Sequence, residues 1–193
     1  EPSGTNSVVL SGRPFAATTT PASFSYTHPH VEGIYQRILS SSGGPQISGW
    51  NFHNNNGAFV KRVQFDTGDW ASAVQPTKTD SYAILFPGVG NYAQIRAEDV
   101  SIMNYFNGAY GGEHLELSGV YITKARNCLV LEDMNLPVKS SGLTCSLTPT
   151  AIKANGRAYF LDFDLVVERD ITGQWYSGGA GGAVEFNMAG GVV

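Results

Sequence analysis

Charged residues are scarce in this 193-residue chain, in which Asp, Glu, Lys and Arg together make up 15% of the sequence. Globular proteins usually carry about 25%, so the surface is expected to be neutral and polar. The net charge is −4, and the twelve basic residues are scattered, with Lys61 and Arg62 as the densest pair. A nucleic-acid-binding protein would carry a basic stripe. Direct nucleic-acid binding by this segment is therefore not predicted.

Long apolar runs are lacking as well. No stretch approaches the roughly 20 apolar residues of a membrane helix, so no membrane insertion is predicted. Cysteine is limited to Cys128 and Cys145, which is too few for a scaffold that depends on disulfides. We interpret the two as buried thiols, with a single bridge as the alternative. The start at Glu1 indicates a processed product or a fragment of a larger chain.

The composition changes along the chain and predicts three parts. Residues 1–26 are rich in Ser, Thr, Pro, Gly and Ala and are predicted to form an extended N-terminal arm. Residues 27–177 carry most of the apolar pattern and are predicted to form one β-sandwich domain. Residues 178–193 form a Gly-rich C-terminal segment.

Alternation of apolar and polar residues dominates the body of the chain. Residues 59–65 and 82–86 alternate with the two-residue period of a strand. The clearest strand is predicted at residues 159–167, where five apolar side chains share one face: Tyr159, Leu161, Phe163, Leu165 and Val167. Residues 93–106 instead show helical spacing and predict one helix.

These elements, separated by turn signals such as Asn155-Gly156, predict a mostly β fold. We expect an antiparallel β-sandwich or jelly roll with one or two short helices. The alternative is a parallel β-helix with rungs of about twenty residues at 94–112, 113–135 and 136–156. These segments do not align with one another residue for residue, and the sandwich is therefore favoured.

Assembled catalytic motifs are not found. Neither Gly-x-Ser-x-Gly nor His-Glu-x-x-His occurs, and Cys128 lies in an apolar run that indicates burial rather than reactivity. No catalytic residue and no cofactor is predicted, and the chain is not expected to be an enzyme. An enzyme such as a β-helical polysaccharide lyase or hydrolase stays open as an alternative, and would depend on Asp66, Asp69 and Asp162.

Two short motifs resemble metal-binding patterns. His28 and His30 flank a proline and can share one metal, with His53 or His114 as a third ligand. Asp66 and Asp69 bracket a turn that can hold a hard cation. The first motif is more typical of a solvated loop and the second of a side-chain-stabilised turn, so no metal ligands are assigned.

Aromatic residues beside glycines or short polar residues are candidates for surface contacts. Sugar-binding proteins stack pyranose rings on Trp and Tyr, which combine an apolar face with a polar tip. Four residues form the candidate glycan or partner contact: Trp50, Trp70, Trp175 and Tyr176. The alternative is that these aromatics belong to the core.

Three stretches resemble a known family. The Ser/Thr/Pro/Ala arm leading into residues 28–35, the run at 115–123 and the late strand at 162–170 are similar to the capsid jelly roll of nodavirus-like RNA viruses. The resemblance implies a jelly-roll fold and a role in the virion. The family usually carries a basic N-terminal arm, which is missing here. Residues 28–33 contain Glu32 but no aspartate, so self-cleavage is not carried over.

The low charge, the Gly- and Thr-rich loops and the lack of catalytic groupings lead to two hypotheses. The first is a viral structural protein of the virion, a capsid shell or protruding domain that self-assembles into homo-oligomers and attaches to a host surface. The second is a carbohydrate-binding or phage-type receptor-binding β domain, whose partner is a cell-surface glycan or receptor.

Overall fold

The computed structural model describes residues 8–11, 30–37, 48–52, 57–66, 82–86, 95–111, 114–131, 137–156, 158–168, 176–178 and 184–187. Within these ranges the chain forms fifteen strands and no helix. The strands, in chain order, are β1 (Val8–Ser11), β2 (His30–Glu32), β3 (Tyr35–Arg37), β4 (Ser48–Asn51), β5 (Ala58–Asp66), β6 (Tyr82–Leu85), β7 (Ile95–Met103), β8 (Asn107–Tyr110), β9 (Leu115–Thr123), β10 (Asn127–Leu131), β11 (Val138–Ser146), β12 (Thr150–Ala154), β13 (Ala158–Glu168), β14 (Tyr176–Gly178) and β15 (Val184–Asn187).

The strands form two sheets, and every strand pair in them is parallel. One sheet has seven strands in the order β1-β4-β6-β8-β10-β12-β14, and the other has eight in the order β15-β13-β11-β9-β7-β5-β2, with β3 also paired to β5. From β4 to β13 the chain alternates between the sheets. Each pass therefore adds one strand to each sheet, which makes the fold a parallel β-solenoid.

This topology corrects the predicted fold class. The fold is mostly β, but the antiparallel β-sandwich or jelly roll is wrong, because neighbouring strands run in the same direction and are joined through the opposite sheet. The alternative of stacked rungs fits this topology. The strand Val8–Ser11, inside the predicted arm, pairs with β4, and Val184–Asn187, inside the Gly-rich C-terminal segment, pairs with β13.

A left-handed backbone conformation recurs near the middle of the strands of the eight-stranded sheet. Its φ values lie between 51° and 99° on strands β5, β7, β9 and β11 and at the break between β2 and β3. We call these residues the bend column: Gly33, Arg62, Asp99, Gly119 and Gly142. A left-handed residue inside a strand bends it and interrupts the two-residue alternation.

The bend column explains the apolar pattern of the long strands. In β5, Ala58 and Val60 are buried before the bend, and Val63 and Phe65 are buried after it. Two consecutive residues at the bend, Lys61 and Arg62, are accessible to solvent. The inward positions therefore shift by one residue at every bend.

This shift is why the predicted helix at residues 93–106 is wrong. Strand β7 (Ile95–Met103) occupies the segment. Ile95 and Ala97 are buried before the bend at Asp99, and Val100 and Ile102 after it. The bend places the buried Ala97 and Val100 three residues apart, and this interval imitates the spacing of apolar residues in a helix.

The strand predicted at residues 159–167 is confirmed as β13 (Ala158–Glu168), but its faces differ from the prediction. Ala158 and Phe160 are buried, whereas Tyr159 and Leu161 are partly exposed. The cause is again a left-handed residue, Asp162, with a φ of 48°. The alternation on its two sides is out of phase.

The core lies between the sheets and is crossed by a covalent bond. Cys128 of β10, in the seven-stranded sheet, is bonded to Cys145 of β11, in the eight-stranded sheet, with a Cα–Cα distance of 6.0 Å. The interpretation of two thiols is therefore wrong, and their predicted burial is confirmed because both residues are 0% exposed. The bond links the two sheets directly.

Polar stacking supports the turns between the sheets. Asn107 of β8 and Asn127 of β10 occupy the same register position on neighbouring rungs. Both are buried, and Asn127 Nδ2 donates a hydrogen bond to Asn107 Oδ1 at 2.8 Å. A buried amide is stabilised when its donors and acceptors are paired, so the stack holds the two rungs in register.

Candidate ligand-binding face

The outward side chains of the eight-stranded sheet form the most developed polar surface in the described part of the chain. Parallel pairing places equivalent residues of successive strands in columns that run across the strands, about 4.8 Å apart. We call this surface the outer face. The outer face has three adjacent parts: a charged part before the bend, the bend column, and an uncharged part after the bend.

Before the bend, the outer face carries ion pairs between neighbouring strands. Lys61 Nζ of β5 lies 2.6 Å from Glu98 Oε1 of β7, and Arg96 donates to Glu116 Oε2 of β9 from both Nε, at 3.1 Å, and Nη2, at 2.8 Å. The Lys61 ammonium donates a hydrogen bond to the Glu98 carboxylate and lowers the pKa of Glu98, because it stabilises the charged form. The charges of this part are therefore largely balanced.

A shallow groove of about 380 Å³ lies on this charged part. Its lining combines charged and hydroxyl side chains with one leucine: Arg96, Glu98, Glu116, Leu117, Ser118, Lys139, Ser140, Ser141 and Asp162. Gly119 and Gly142 occupy the bend column beside it. Because they carry no side chain, the groove is not walled off from the part of the outer face beyond the bend.

After the bend, one column contains no charged residue. Its members lie two residues beyond the bend column and follow from the strand registers. We call it the tyrosine strip: Tyr35, Gln64, Ser101, Tyr121 and Thr144. Tyr35 is 55% exposed and Tyr121 is 39% exposed. The strip thus offers two aromatic rings with an amide and a hydroxyl between them.

Tyr35 is held in place by a buried carboxylate. Its hydroxyl donates a hydrogen bond to Asp66 Oδ2 at 2.7 Å, and Asp66 is only 3% exposed. This hydrogen bond raises the pKa of Tyr35, since it stabilises the protonated phenol beside an anion. A second shallow groove of about 340 Å³ lies along the ring, lined in part by Arg62, Gln64 and Ser101.

Among the predicted contact residues, Trp50 lies in the core. It is 2% exposed, its ring packs edge-on against Phe65 at 4.7 Å, and its Nε1 donates to Gln36 Oε1 at 2.6 Å. Trp50 therefore offers no face to a ligand. Trp70 and Trp175 lie outside the described residues, and Tyr176 begins strand β14.

The two candidate metal-binding motifs lie only partly within the described residues. His30 lies on the outer face, where its ring packs 4.6 Å from the ring of Phe59 and its Nε2 lies 3.5 Å from Glu32 Oε2. His114 sits at the turn before β9, while His28 and His53 lie outside the described residues. No group of three potential metal ligands occurs in the part of the chain that the structure describes.

The two described aspartates of the enzyme alternative, Asp66 and Asp162, do not form a cluster. Asp66 ends β5 and is buried, whereas Asp162 lies on β13 in the charged groove. Strands β7, β9 and β11 separate the two. Asp69 lies outside the described residues.

Sequence reasoning missed Tyr35 and Tyr121 as candidate contact residues. Their shared signal is position, because each lies two residues after a glycine of the bend column, Gly33 or Gly119. That relation is visible only once the strands are aligned on their bends. The search for aromatic residues beside glycines or short polar residues selected Trp50, Trp70, Trp175 and Tyr176 instead.

No helix in the described ranges has the length and apolar character needed to cross a membrane. No protein-family model matches the chain, and neither the curated proteins nor the solved structures contain a significant match to it.

Proposed function

We propose that this protein is a carbohydrate-binding or receptor-binding β-solenoid that holds a cell-surface glycan on its outer face. The observation that carries the proposal is the tyrosine strip, in which Tyr35 and Tyr121 are exposed in one column with Gln64 and Ser101 between them. Aromatic rings pack against the apolar faces of sugars, and amide and hydroxyl groups bond their hydroxyls. This combination suits a glycan better than an apolar ligand.

The rigidity of the scaffold supports the same function. Each strand of the outer face between β5 and β11 is paired on both sides, and the core behind it is buried and cross-linked by the disulfide. Side chains on regular strands lose little conformational freedom on binding compared with side chains on loops. A preformed array of this kind favours recognition of a repeating polymer.

Binding to an immobilised panel of cell-surface and storage polysaccharides tests the proposal. We expect retention of the protein on at least one glycan and loss of that retention in Tyr121→Ala. Leu147→Ala is the matched control, since Leu147 is 38% exposed but lies in a turn between the sheets. Absence of binding across a broad panel by correctly folded protein would refute the proposal.

A viral structural protein that works by self-association is the second candidate function. It is supported by exposed apolar side chains near both ends of the eight-stranded sheet: Ile34 at one end, and Val166 and Val167 at the other. Association of unlike ends would be heterologous and would extend into filaments or close into rings. Light scattering across a concentration series tests it, because a species that stays monomeric at all concentrations contradicts self-association.

A further inference from the structure

We infer that the tyrosine strip binds a neutral glycan chain that lies along the solenoid axis, across the strands, and contacts both tyrosines at once. The inference rests on the proposed function and adds the chemical class and the direction of the ligand. Three properties of the strip lead to it: the spacing of its aromatic rings, its lack of charge, and the pairing of the basic residues beside it.

The spacing of the rings sets the direction. Tyr35 on β3 is in register with Gln64 on β5, which is in register with Ser101 on β7 and then with Tyr121 on β9. Three strand spacings separate the two tyrosines, which amounts to about 14 Å along the axis. A short oligosaccharide spans this distance, whereas a monosaccharide does not. A ligand that uses both rings must therefore cross the strands.

The lack of charge sets the ligand class. Gln64, Ser101 and Thr144 provide hydrogen-bond donors and acceptors without a formal charge. A polyanionic glycan would require unpaired cations along its path, as phosphate backbones do. The strip has none, and its hydroxyl and amide groups instead complement sugar hydroxyls.

The two basic residues beside the strip on β5 are engaged with carboxylates. Arg62, next to the strip on β5, forms an ion pair with Glu32, and Lys61 forms one with Glu98. An acidic ligand would have to compete with these carboxylates for each cation. Binding to the strip is therefore expected to respond weakly to salt, because only interactions between net charges are strongly screened.

The two tyrosines make different contacts, so mutations can test the contribution of each one separately. The Tyr35 hydroxyl is bonded to buried Asp66, so Tyr35→Phe keeps the ring and removes the bond, whereas Tyr35→Ala removes both. Tyr121 stands between Ser101 and Thr144 in the strip. Tyr121→Ala therefore removes one platform without touching the other.

The test is isothermal titration calorimetry with a length series of one neutral glycan, from the monosaccharide upward, and a matched series of an acidic glycan. For the neutral series we expect affinity to rise steeply once the oligosaccharide spans both rings. We expect Tyr121→Ala and Tyr35→Ala each to lower the affinity of the long oligosaccharide about tenfold. Affinity is expected to change less than twofold between low and high salt.

The outcomes separate this inference from the proposed function. If only acidic glycans bind, with strong salt dependence and a loss in Lys139→Ala, the protein is still a glycan-binding module but the inference is overturned. The same holds if neutral glycans bind equally well at every length or if Tyr35→Ala, shown to be folded by circular dichroism, binds normally. If neither series binds and the panel is also negative, the proposed function itself fails.

Discussion

The disulfide between the sheets provides the sharpest prediction about stability. Replacing both cysteines, Cys128→Ala and Cys145→Ala, removes a cross-link that closes a loop with a sequence separation of 17. The chain-entropy relation gives a loss of about 3 kcal/mol in the free energy of unfolding at 25 °C. At about 2–4 °C per kcal/mol for a chain of this size, the melting temperature should fall by roughly 6–12 °C.

Urea unfolding followed by circular dichroism measures this effect in three samples: the oxidised wild type, the reduced wild type and the double variant. The reduced wild type keeps both sulfur atoms, so its difference from the oxidised protein isolates the cross-link from the packing of the side chains. Either single variant should lose the full cross-link contribution, because removing one partner breaks the bond. Equal free energies of unfolding for oxidised and reduced protein, with both thiols titrated after reduction, would refute the reasoning.

Three contacts elsewhere in the solenoid lead to further predictions. Gly108→Ala places a Cβ 2.6 Å from a carbonyl oxygen of β10, and should destabilise the protein by about 1–3 kcal/mol in urea unfolding. Asn127→Ala removes the hydrogen bond to Asn107 Oδ1 inside the core and should cost about 1–3 kcal/mol; an unchanged midpoint would contradict a role for the amide stack. Lys61→Met should raise the lowered pKa of Glu98 toward its usual value in an NMR titration. The lowered pKa of Glu98 stabilises the fold at pH values above the usual glutamate pKa, and this stabilisation is lost as the pH falls through the lowered pKa. The variant lacks this contribution, so its free energy of unfolding should fall less on acidification than that of the wild type.

A strand was predictable from the sequence where a short apolar run contains no left-handed bend. Residues 82–86 were predicted as a strand, and β6 (Tyr82–Leu85) confirms this. The register of the longer strands was hidden because each bend shifts the alternation by one residue. In the run at 59–65, simple alternation would place the polar Lys61 on the same face as Phe59. In the structure, Phe59 and Lys61 are both more exposed than Val60 between them.

The repeat of the rungs was also missed, because the sequence segments that were compared did not begin at equivalent residues. Counted from the first strand residue, Ile95, Leu115 and Val138 occupy equivalent positions on β7, β9 and β11, and the bend residues Asp99, Gly119 and Gly142 fall at the same offset. Loops of unequal length between the rungs shift any window of fixed size. Alignment on the left-handed positions restores the repeat. The left-handed conformation of Asp99 could not be predicted from the residue type, since aspartate adopts this conformation only occasionally.

The candidate site was less predictable than the fold. Exposure of an aromatic residue depends on which face of which strand it occupies, and Trp50 was a candidate contact residue because it follows a glycine. In the structure that glycine is itself buried, and the indole is held in the core by Gln36. Tyr121 carries no local signal that distinguishes it from a core tyrosine such as Tyr105, which is 0% exposed.

The stacked rungs have a consequence for how such a protein changes its ligand during evolution. Each rung contacts only its neighbours, so a duplication or loss of one rung between β5 and β9 would leave the local surroundings of Tyr35 and Tyr121 almost intact. It would nevertheless move the two rings apart or together by one strand spacing, about 4.8 Å. The number of rungs between the two tyrosines would then set the length of the glycan that contacts both of them. This length could change by whole rungs without a substitution in either tyrosine.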